Sequence, residues 1–463
     1  MNSDPEQSFE EGWPVRRADG LDDLDRFLEE PEFRTSFRLP GGQFAVSRRD
    51  DSKGLCAALR DPSASMPLHA HFDGRNWLVA PRVGALEQRV GRKFPLKFSV
   101  LKQLHQTGRI HPDQSLYEET IMLSPGVVYL FGPGRRVARQ EVPIEWPDPV
   151  GVERDRWSSA NEMAFDLIDS IRSAVVDSVS ESPGPAVLQY SGGLDSNLIL
   201  HAGTRSGLSF KAIGMTFPGM ECDESEPMAA SCEMLGVPLE QVDFRGLTYD
   251  DWRGELFANA EYVPFTTAFM ALDLARRLDG EPGRVLLNGI GGDEIFATGP
   301  DSASAFLARL FGWKTPLLIW ERHTKRTVKG VLRRSVSGLR AIDPYLRSGS
   351  AHFQLALVQL LASEGTDYRM PFCDWRVAVR VRVLNALYSV AAVDTQRSLQ
   401  RAILDNFSPG ASKIVGLTKP NFDAVGAAPE NEPDGLGPSM FPRFHRLVPD
   451  FIAAKSKRGR VIR

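Results

Sequence analysis

The feature that most constrains this chain of 463 residues is a short apolar run that ends in a glycine turn. Residues 186–190 are typical of a buried strand, and Ser191-Gly192-Gly193-Leu194-Asp195-Ser196 follows them directly. The next five residues suit a helix, so the pattern predicts a strand, a turn and a helix start. Backbone N–H groups and the positive end of the helix dipole then meet at one point, which suits a phosphate or pyrophosphate. Two glycines can simply serve a bend, but the hydroxyls and the acid beside them favour an anion site.

The spacing of apolar residues predicts a β-rich first part of the chain. Residues 68–72 and 77–80 form a predicted hairpin around the turn signal Asp73-Gly74. Further strands are predicted at 37–46, 54–59 and 127–131, and a helix at 98–107. Pro147 and Pro149 break any regular element, so a linker is predicted at 145–151.

From about residue 160, strand and helix periods alternate. The predicted strands are 186–190, 211–217, 239–244 and 284–290, and the predicted helices are 160–179, 195–205, 224–235 and 266–278. This alternation indicates a parallel, doubly wound sheet with ligands at the carboxyl ends of its strands. We therefore expect an α/β protein with a β-rich domain at 1–150. The expected second domain, at 151–463, has the parallel sheet and becomes largely helical beyond residue 300.

A second glycine-rich loop, Gly289-Ile290-Gly291-Gly292-Asp293-Glu294, follows another predicted strand. Asp195 and Asp293 would then face one crevice, and magnesium on a nucleotide takes one or two carboxylates plus phosphate oxygens. Breaking ATP between its α and β phosphates would load charge onto the departing pyrophosphate, which magnesium, the loop N–H groups and the hydroxyls of Ser191 and Ser196 could stabilise. The Walker pattern is absent, so this is not the loop that transfers a γ-phosphate. Asp is also a favoured helix N-cap, but two such loops together favour the metal.

Composition excludes several classes of partner. The net charge of −4 gives no general case for nucleic-acid binding, and no apolar run approaches the length of a membrane span. The N-terminus lacks the apolar core of a signal peptide. The four cysteines form no Cys-x-x-Cys pair, which argues against structural zinc and fits a reducing cytoplasm. His69 and His71 alternate on a predicted strand and are expected at the surface rather than on a metal.

The two glycine-rich loops together resemble those of the N-type ATP pyrophosphatases. In particular, they resemble the synthetase half of the asparagine synthetase superfamily, which includes β-lactam synthetases and lasso-peptide macrolactam cyclases. Further stretches match in the same order: Asp223-Glu224, Tyr368-Arg369-Met370-Pro371-Phe372-Cys373-Asp374 and Lys419-Pro420-Asn421-Phe422. Residues 60–62, 67–68 and 123–126 are similar to runs in the class II glutaminase domain of this family. The resemblance thus implies a degenerate glutaminase-like domain at 1–150 and a synthetase domain at 151–463.

The resemblance implies ATP and Mg²⁺ as cofactors, an acyl-adenylate formed from a substrate carboxylate, and an amine that turns it into an amide. It assigns ATP and pyrophosphate binding to Tyr190, Ser191, Gly192, Gly193, Leu194, Asp195, Ser196, Ile213, Asn288 and Gly289. Asp195 and Asp293 would hold the metal. Lys419 would supply positive charge to the transition states, because the first loop has no lysine of its own. Lys413 is less well placed, and an ordinary surface role for Lys419 stays open.

Departures from the family pattern indicate the branch. Glutaminase members expose an N-terminal cysteine as nucleophile, whereas position 2 here is Asn2 and the nearest cysteine is Cys56 on a predicted strand. β-Lactam synthetases have a tyrosine where this chain has Ile290, which takes no proton. Asp367, with Glu364 close by, stands where their catalytic glutamate is expected. The amine of a peptide N-terminus has a pKa near ~8 and needs less help from a base, which favours a lasso-cyclase-like macrolactam synthetase.

Other functions stay open on the sequence. One is a β-lactam synthetase-like ligase, or a ligase that uses ammonia or a separate free amine. Another is a non-catalytic nucleotide-binding scaffold. The expected partner is a small molecule or peptide with a carboxylate and an amine, and the resemblance adds a leader-peptide-binding protein or a protease. The N-terminal domain either binds substrate or supports the synthetase fold.

Overall fold

The computed structural model describes residues 41–461, with gaps at 108–109, 135, 142–159, 181–185, 221–222, 245–248, 265–267, 279–284, 297–349, 389–397 and 416–439. Three features of the sequence analysis lie outside the described residues: the predicted linker at 145–151, Asn2 and Lys419. The linker and the roles argued for these two residues therefore stay predictions.

Two antiparallel sheets form the first part of the chain. One has the order β1-β2-β6-β7 and consists of β1 (Ala45–Asp50), β2 (Leu55–Arg60), β6 (Val127–Phe131) and β7 (Val137–Glu141). The other has the order β4-β3-β5 and consists of β3 (His69–Phe72), β4 (Trp77–Ala80) and β5 (Thr120–Met122). Apolar side chains such as Ala58, Ala70 and Phe131 fill the space between the two sheets. Helices α1 (Val83–Val90) and α2 (Phe98–Thr107) follow β4.

The predicted hairpin, the strand at 127–131 and the helix at 98–107 are confirmed. Residues 37–40 of the strand predicted at 37–46 lie outside the described residues, and in the described part the strand begins at Ala45. The surface position expected for His69 and His71 is wrong, since the two side chains are 0% and 4% exposed. His69 Nε2 lies 2.5 Å from the hydroxyl of Tyr262, so the second part of the chain covers this face of β3.

A parallel sheet forms the centre of the second part, as predicted, and it has a fifth strand beyond the four that were predicted. Its order is β10-β9-β8-β11-β12, with β8 (Ala186–Tyr190), β9 (Phe210–Thr216), β10 (Leu239–Asp243), β11 (Val285–Leu287) and β12 (Asp367–Arg369). Every neighbouring pair is parallel. The direction in which successive strands are added reverses between β8 and β11. In open parallel sheets, ligands bind beyond the carboxyl ends of the strands at such a switch point.

Ten further helices surround this sheet in the described residues. They are α3 (Ala160–Val179), α4 (Leu194–Arg205), α5 (Ser225–Leu235), α6 (Tyr249–Asn259), α7 (Ala268–Arg277), α8 (Gly292–Phe296), α9 (Ser350–Ser363), α10 (Trp375–Tyr388), α11 (Ser398–Phe407) and α12 (Met440–Lys457). Across the described part of the chain, no helix has the length and apolar character that a membrane crossing would require.

Buried polar contacts join the two parts of the chain. Glu261 is buried, and its two carboxylate oxygens accept the N–H groups of Val83 and Gly84 at the start of α1, each at 2.8 Å. Gly42 N donates to Asp374 Oδ2 at 2.8 Å. A buried carboxylate requires such donors, so these contacts hold the first part of the chain against the segments that follow α6 and β12.

Candidate active site

The loop after β8 is held by its own hydroxyls. Gly192 has a positive φ of 78°, which glycine adopts without strain, and Gly193 is the N-cap of α4. The hydroxyl oxygens of Ser191 and Ser196 lie 3.2 Å apart, and Ser196 Oγ donates to Gly193 O at 3.0 Å. The two serines of the predicted anion loop are therefore adjacent, at a helix N-terminus beyond a strand end.

The side chains of Asn197 and Tyr190 hold the backbone of this loop through hydrogen bonds. Asn197 Nδ2 donates to Gly192 O at 2.6 Å and to Gly193 O at 3.1 Å. The Tyr190 hydroxyl donates to Asn197 Oδ1 at 2.8 Å, and burial raises the pKa of Tyr190, so this hydroxyl keeps its proton. Tyr190 is fully buried. The side chain of Tyr190 therefore supports the loop, and its backbone groups are the part of the residue that lies at the carboxyl end of β8.

Neither acid of the two loops begins its helix. Gly193 is the N-cap of α4, without a capping side chain, and Asp195 is the second residue of the helix. Asp293 is likewise the second residue of α8. An N-cap precedes the first helical residue, so capping does not explain the acid at Asp195.

The two acidic loops touch. A Cβ atom at Gly292 would stand 2.4 Å from Asp195 Cγ, and a Cβ at Gly289 would stand 3.1 Å from Asp195 Cβ. A side chain at position 292 would therefore displace the Asp195 carboxylate, and one at position 289 would require a small shift of its neighbours. Because Asp293 follows Gly292 directly, the contact brings both predicted metal ligands to the switch point between β8 and β11.

The remaining residues that were predicted to bind the nucleotide, Ile213, Asn288 and Gly289, are linked through the central strands of the sheet. Asn288 Nδ2 donates to Gln189 Oε1 at 2.7 Å, and Asn288 Oδ1 accepts the N–H of Ile290 at 2.7 Å. Gln189 is the register partner of Ile213, which is fully buried in β9. Asn288 and Ile213 thus both neighbour Gln189, and Gly289 follows at the contact with Asp195.

Two of the stretches that resemble the family, 223–224 and 368–374, pack against the two glycine-rich loops. A Cβ at Gly291 would lie 3.0 Å from Cys373 Sγ, and the rings of Phe296 and Phe372 meet edge to face at 5.8 Å. On the other loop, a Cβ at Gly192 would lie 3.2 Å from the Cβ of Glu224. These two family-like stretches are therefore neighbours of the glycine loops in the fold.

Asp367 and Glu364 are not among these neighbours. Asp367 opens β12 and is the register partner of Val285, the first residue of β11, so it lies at the amino end of the strands. Its carboxylate forms a 2.6 Å ion pair with Arg369. Glu364 pairs with Arg276 at 3.2 Å. The predicted base therefore stands at the opposite strand end from the acidic loops.

One contact to Asp195 has no counterpart in the sequence analysis. Gln400, on α11, is 2% exposed and donates from Nε2 to Asp195 Oδ1 at 2.5 Å. Asn197 and Gln189 were also missed. No spacing links position 400 to position 195, because the contact arises only when α11 packs along α4.

The residues at this site fit a nucleotide-bound Mg²⁺. Within the described ranges, no group of three or more His, Cys, Asp or Glu residues could hold a metal by itself. Two carboxylates beside a glycine cradle instead match an ion whose other ligands are phosphate oxygens and water. Asp195 and Asp293 are the carboxylates of the two loops that meet at Gly292.

The parallel sheet and its paired acidic loops define an α/β protein with a nucleotide-type site at its switch point. Residues 169–413, more than half of the chain, match the family described as asparagine synthase, and the chain belongs to that family. Family members use ATP with Mg²⁺, and membership supports an ATP-dependent ligase that forms amide bonds. The match includes both acidic loops and Asp367.

The other comparisons add little. NMN synthetase from Francisella tularensis is similar over 30% of this chain and 58% of its own chain, with 13% identity and a TM-score of 0.21. This chain therefore spans less than two thirds of that structure, and so weak a similarity carries no functional argument. No curated protein matches the chain.

Proposed function

We propose that the chain is an ATP- and Mg²⁺-dependent ligase that adenylates a carboxylate, releases pyrophosphate and joins the acyl group to an amine. The observation that carries this proposal is the contact of the Asp195 carboxylate with Gly292. It joins an anion loop and a second acidic loop at a sheet switch point, where nucleotides bind in such folds.

In this proposal Asp195 and Asp293 hold Mg²⁺, which neutralises charge on the phosphates when bound. The N–H groups of 191–196 and the hydroxyls of Ser191 and Ser196 bind pyrophosphate oxygens. A substrate carboxylate oxygen attacks the α-phosphorus, and the bond to the β-phosphate bridging oxygen breaks. Lys419 adds positive charge to the transition state. Tyr190, Ile213, Asn288 and Gly289 form the adenine end, mainly through backbone groups.

The amine nitrogen then attacks the acyl carbon, AMP leaves, and the amine loses a proton. Ile290 provides no base for that proton, and the Asp367 carboxylate is engaged by Arg369. A peptide N-terminal amine, with an ordinary pKa near ~8, is already partly neutral at physiological pH. We therefore favour intramolecular macrolactam formation on a peptide, as in lasso cyclases. The role of Asp367 as base rests on the resemblance alone, since its place at the amino end of β12 does not support it.

We also propose that the chain has no glutaminase activity. Glutamine hydrolysis needs an accessible thiolate, and the three described cysteines, Cys56, Cys232 and Cys373, are all buried. Burial raises the pKa of Cys56 to about 12 and that of Cys232 to about 11. Residues 1–150 are then a degenerate glutaminase-like domain, and 151–463 are the synthetase domain. A leader-peptide-binding protein or a protease is the proposed partner.

Two other functions are separable by experiment. A β-lactam synthetase-like enzyme, or a ligase that uses ammonia or a free amine, would share the adenylation step. A non-catalytic scaffold would bind nucleotide without turnover. The intact loop at 191–196 and its contact with Gly292 favour an active enzyme over the scaffold.

The test is ATP–pyrophosphate exchange, followed by mass spectrometry of products formed from linear peptides that carry a carboxylate and a free N-terminal amine. We expect exchange that requires Mg²⁺ and the peptide, and a product lighter than the peptide by one water. Amide formation that depends on added ammonium would contradict the macrolactam assignment. Glutamate release from glutamine would contradict the absence of glutaminase. Failure to exchange pyrophosphate would favour the scaffold.

A further inference from the structure

We propose that Gln400 is a positioning residue that orients the carboxylate of Asp195 for Mg²⁺; this inference rests on the function proposed above. Gln400 Nε2 donates to Asp195 Oδ1 at 2.5 Å, and its side chain is 2% exposed. A buried carboxamide aimed at a carboxylate is held there by the cost of leaving either group without a partner.

The helix that carries Gln400 is fixed along the helix that carries Asp195. Gln400 meets Asp195 at the start of both helices, and Ser408 Oγ accepts a 3.2 Å hydrogen bond from Arg205 Nη2 at their far ends. α4 and α11 therefore run side by side in the same direction. Leu404 is fully buried on α11, which packs along α4.

A second set of contacts fixes α11 from its other side. Arg401 Nη1 donates to Ser412 O at 2.7 Å, and Asp405 accepts both the N–H and the hydroxyl of Ser412, at 2.9 and 2.7 Å. Gln400 is thus presented to Asp195 by a helix with defined rotation. Sites on rigid elements hold side chains more precisely than sites on loops.

Asp195 is confined on the opposite side by the second acidic loop. The backbone at Gly292 stands close enough that a Cβ there would overlap the carboxylate. The carboxylate lies between this backbone and the Gln400 amide, which together select one orientation. Hydrogen bonds from outer groups orient metal ligands in this way.

The chemistry of the donor matters. A carboxamide N–H positions a carboxylate without adding a formal charge, so the negative charge of Asp195 remains available to a cation. An arginine or lysine at the same place would neutralise the carboxylate and compete with Mg²⁺. A glutamine at position 400 therefore orients the carboxylate of Asp195 and leaves the charge of that carboxylate unchanged.

The test compares wild type with Q400L and Q400M, which keep the bulk of the side chain and remove the donor. D405N is the matched control on the same helix, since it weakens the Ser412 contacts without touching Asp195. Two quantities are measured: calorimetric affinity for ATP with and without Mg²⁺, and the Mg²⁺ concentration that gives half-maximal pyrophosphate exchange.

We expect Q400L and Q400M to need about 10-fold more Mg²⁺ for both readouts, the usual size of an outer-group effect. Their affinity for ATP in the presence of EDTA should equal that of wild type. D405N should lower the melting temperature and change the Mg²⁺ dependence far less than the Gln400 variants do, because the buried Leu404 and the Arg205–Ser408 hydrogen bond still hold α11 against α4 and the donor is kept. Q400M serves as the readout if Q400L fails to fold.

The outcomes separate the two proposals. Unchanged Mg²⁺ dependence in both Gln400 variants would overturn the positioning role while the ligase proposal stands. If D405N lost its Mg²⁺ response as strongly as the Gln400 variants, the effect of Gln400 would be one of helix packing alone. That result would also overturn the positioning role. A wild-type protein that neither binds Mg·ATP nor exchanges pyrophosphate would overturn the ligase proposal, and the positioning role with it.

Discussion

The backbone of Gly292 lies against the carboxylate of Asp195, so closely that a methyl group at position 292 would stand 2.4 Å from Asp195 Cγ. The two residues are 97 positions apart and follow different strands of one parallel sheet. The contact is the point at which two separate glycine loops become a single site.

Gly292→Ala is expected to disable the site more than the fold. Asp195 can turn away from the added methyl, so the loss of stability should be at most about 1–3 kcal/mol, while pyrophosphate exchange should fall about 100-fold because the acid is displaced. Gly254→Ala is the matched control, since nothing lies within 4 Å of its Cβ position in α6. That control should gain about 0.5–1 kcal/mol. Near-normal exchange in Gly292→Ala would contradict the role of the contact.

Asp195→Ala and Asp293→Ala should each reduce ATP–pyrophosphate exchange by more than about 100-fold, because each removes a charge that would hold Mg²⁺ beside the phosphates. Asp169→Ala removes an acid with a side chain that is 71% exposed on α3, and it should behave as wild type. Exchange at the wild-type rate in either loop variant would refute the metal assignment.

Lys419→Ala should lower turnover by about 100-fold and leave ATP affinity near that of wild type, since the lysine is proposed to act on the transition state. Lys413→Ala, at the end of a short 3-10 helix at 411–413, is the companion control and should retain activity. The two variants are compared by steady-state kinetics and nucleotide titration. Equal rates for both would dismiss Lys419.

His69 should make the stability of the protein depend on pH. Burial, with a contribution from the nearby Arg60 guanidinium, lowers the pKa of His69 from 6.5 to about 3. Between these values the unfolded chain binds a proton that the folded protein does not. The free energy of unfolding should therefore fall as the pH falls from 6.5, by up to about 1.4 kcal/mol per pH unit.

His69→Gln keeps a polar partner for the Tyr262 hydroxyl and removes the titration. Urea unfolding between pH 7 and pH 5 should show a shallower loss of stability in this variant than in wild type. Parallel pH profiles for the two proteins would show that His69 does not contribute to the acid sensitivity.

Local signals explain what the sequence predicted correctly. A glycine turn after an apolar run indicates a strand end wherever it occurs, and for this reason the loops of Asp195 and Asp293 and the parallel sheet were predictable. β12 has three residues, too few for a period to be visible. His69 was expected outside because alternation usually marks a solvent-facing side, but Tyr262 covers that side.

Contacts between distant elements explain what was missed. Gln400 is 205 residues from Asp195, and nothing in either stretch indicates that α11 packs along α4. Asn197 lies inside a correctly predicted helix, yet its function depends on the direction of its side chain toward the carbonyls of Gly192 and Gly193. Pattern analysis identifies elements, whereas their lateral packing decides which side chains meet.

Glu261, buried between the two parts of the chain, marks a shared interior that limits how the protein can be shortened. A version starting at residue 151 would lose both amide donors from Val83 and Gly84, and it would open the Glu261 carboxylate to water. The larger loss is apolar, because Val83, Leu86 and Leu101 belong to the same buried cluster as Leu256, Phe257 and Phe451. Exposing that surface costs about 25 cal/mol for each Å², so the β-rich portion is not an optional attachment: it completes the core of the second part.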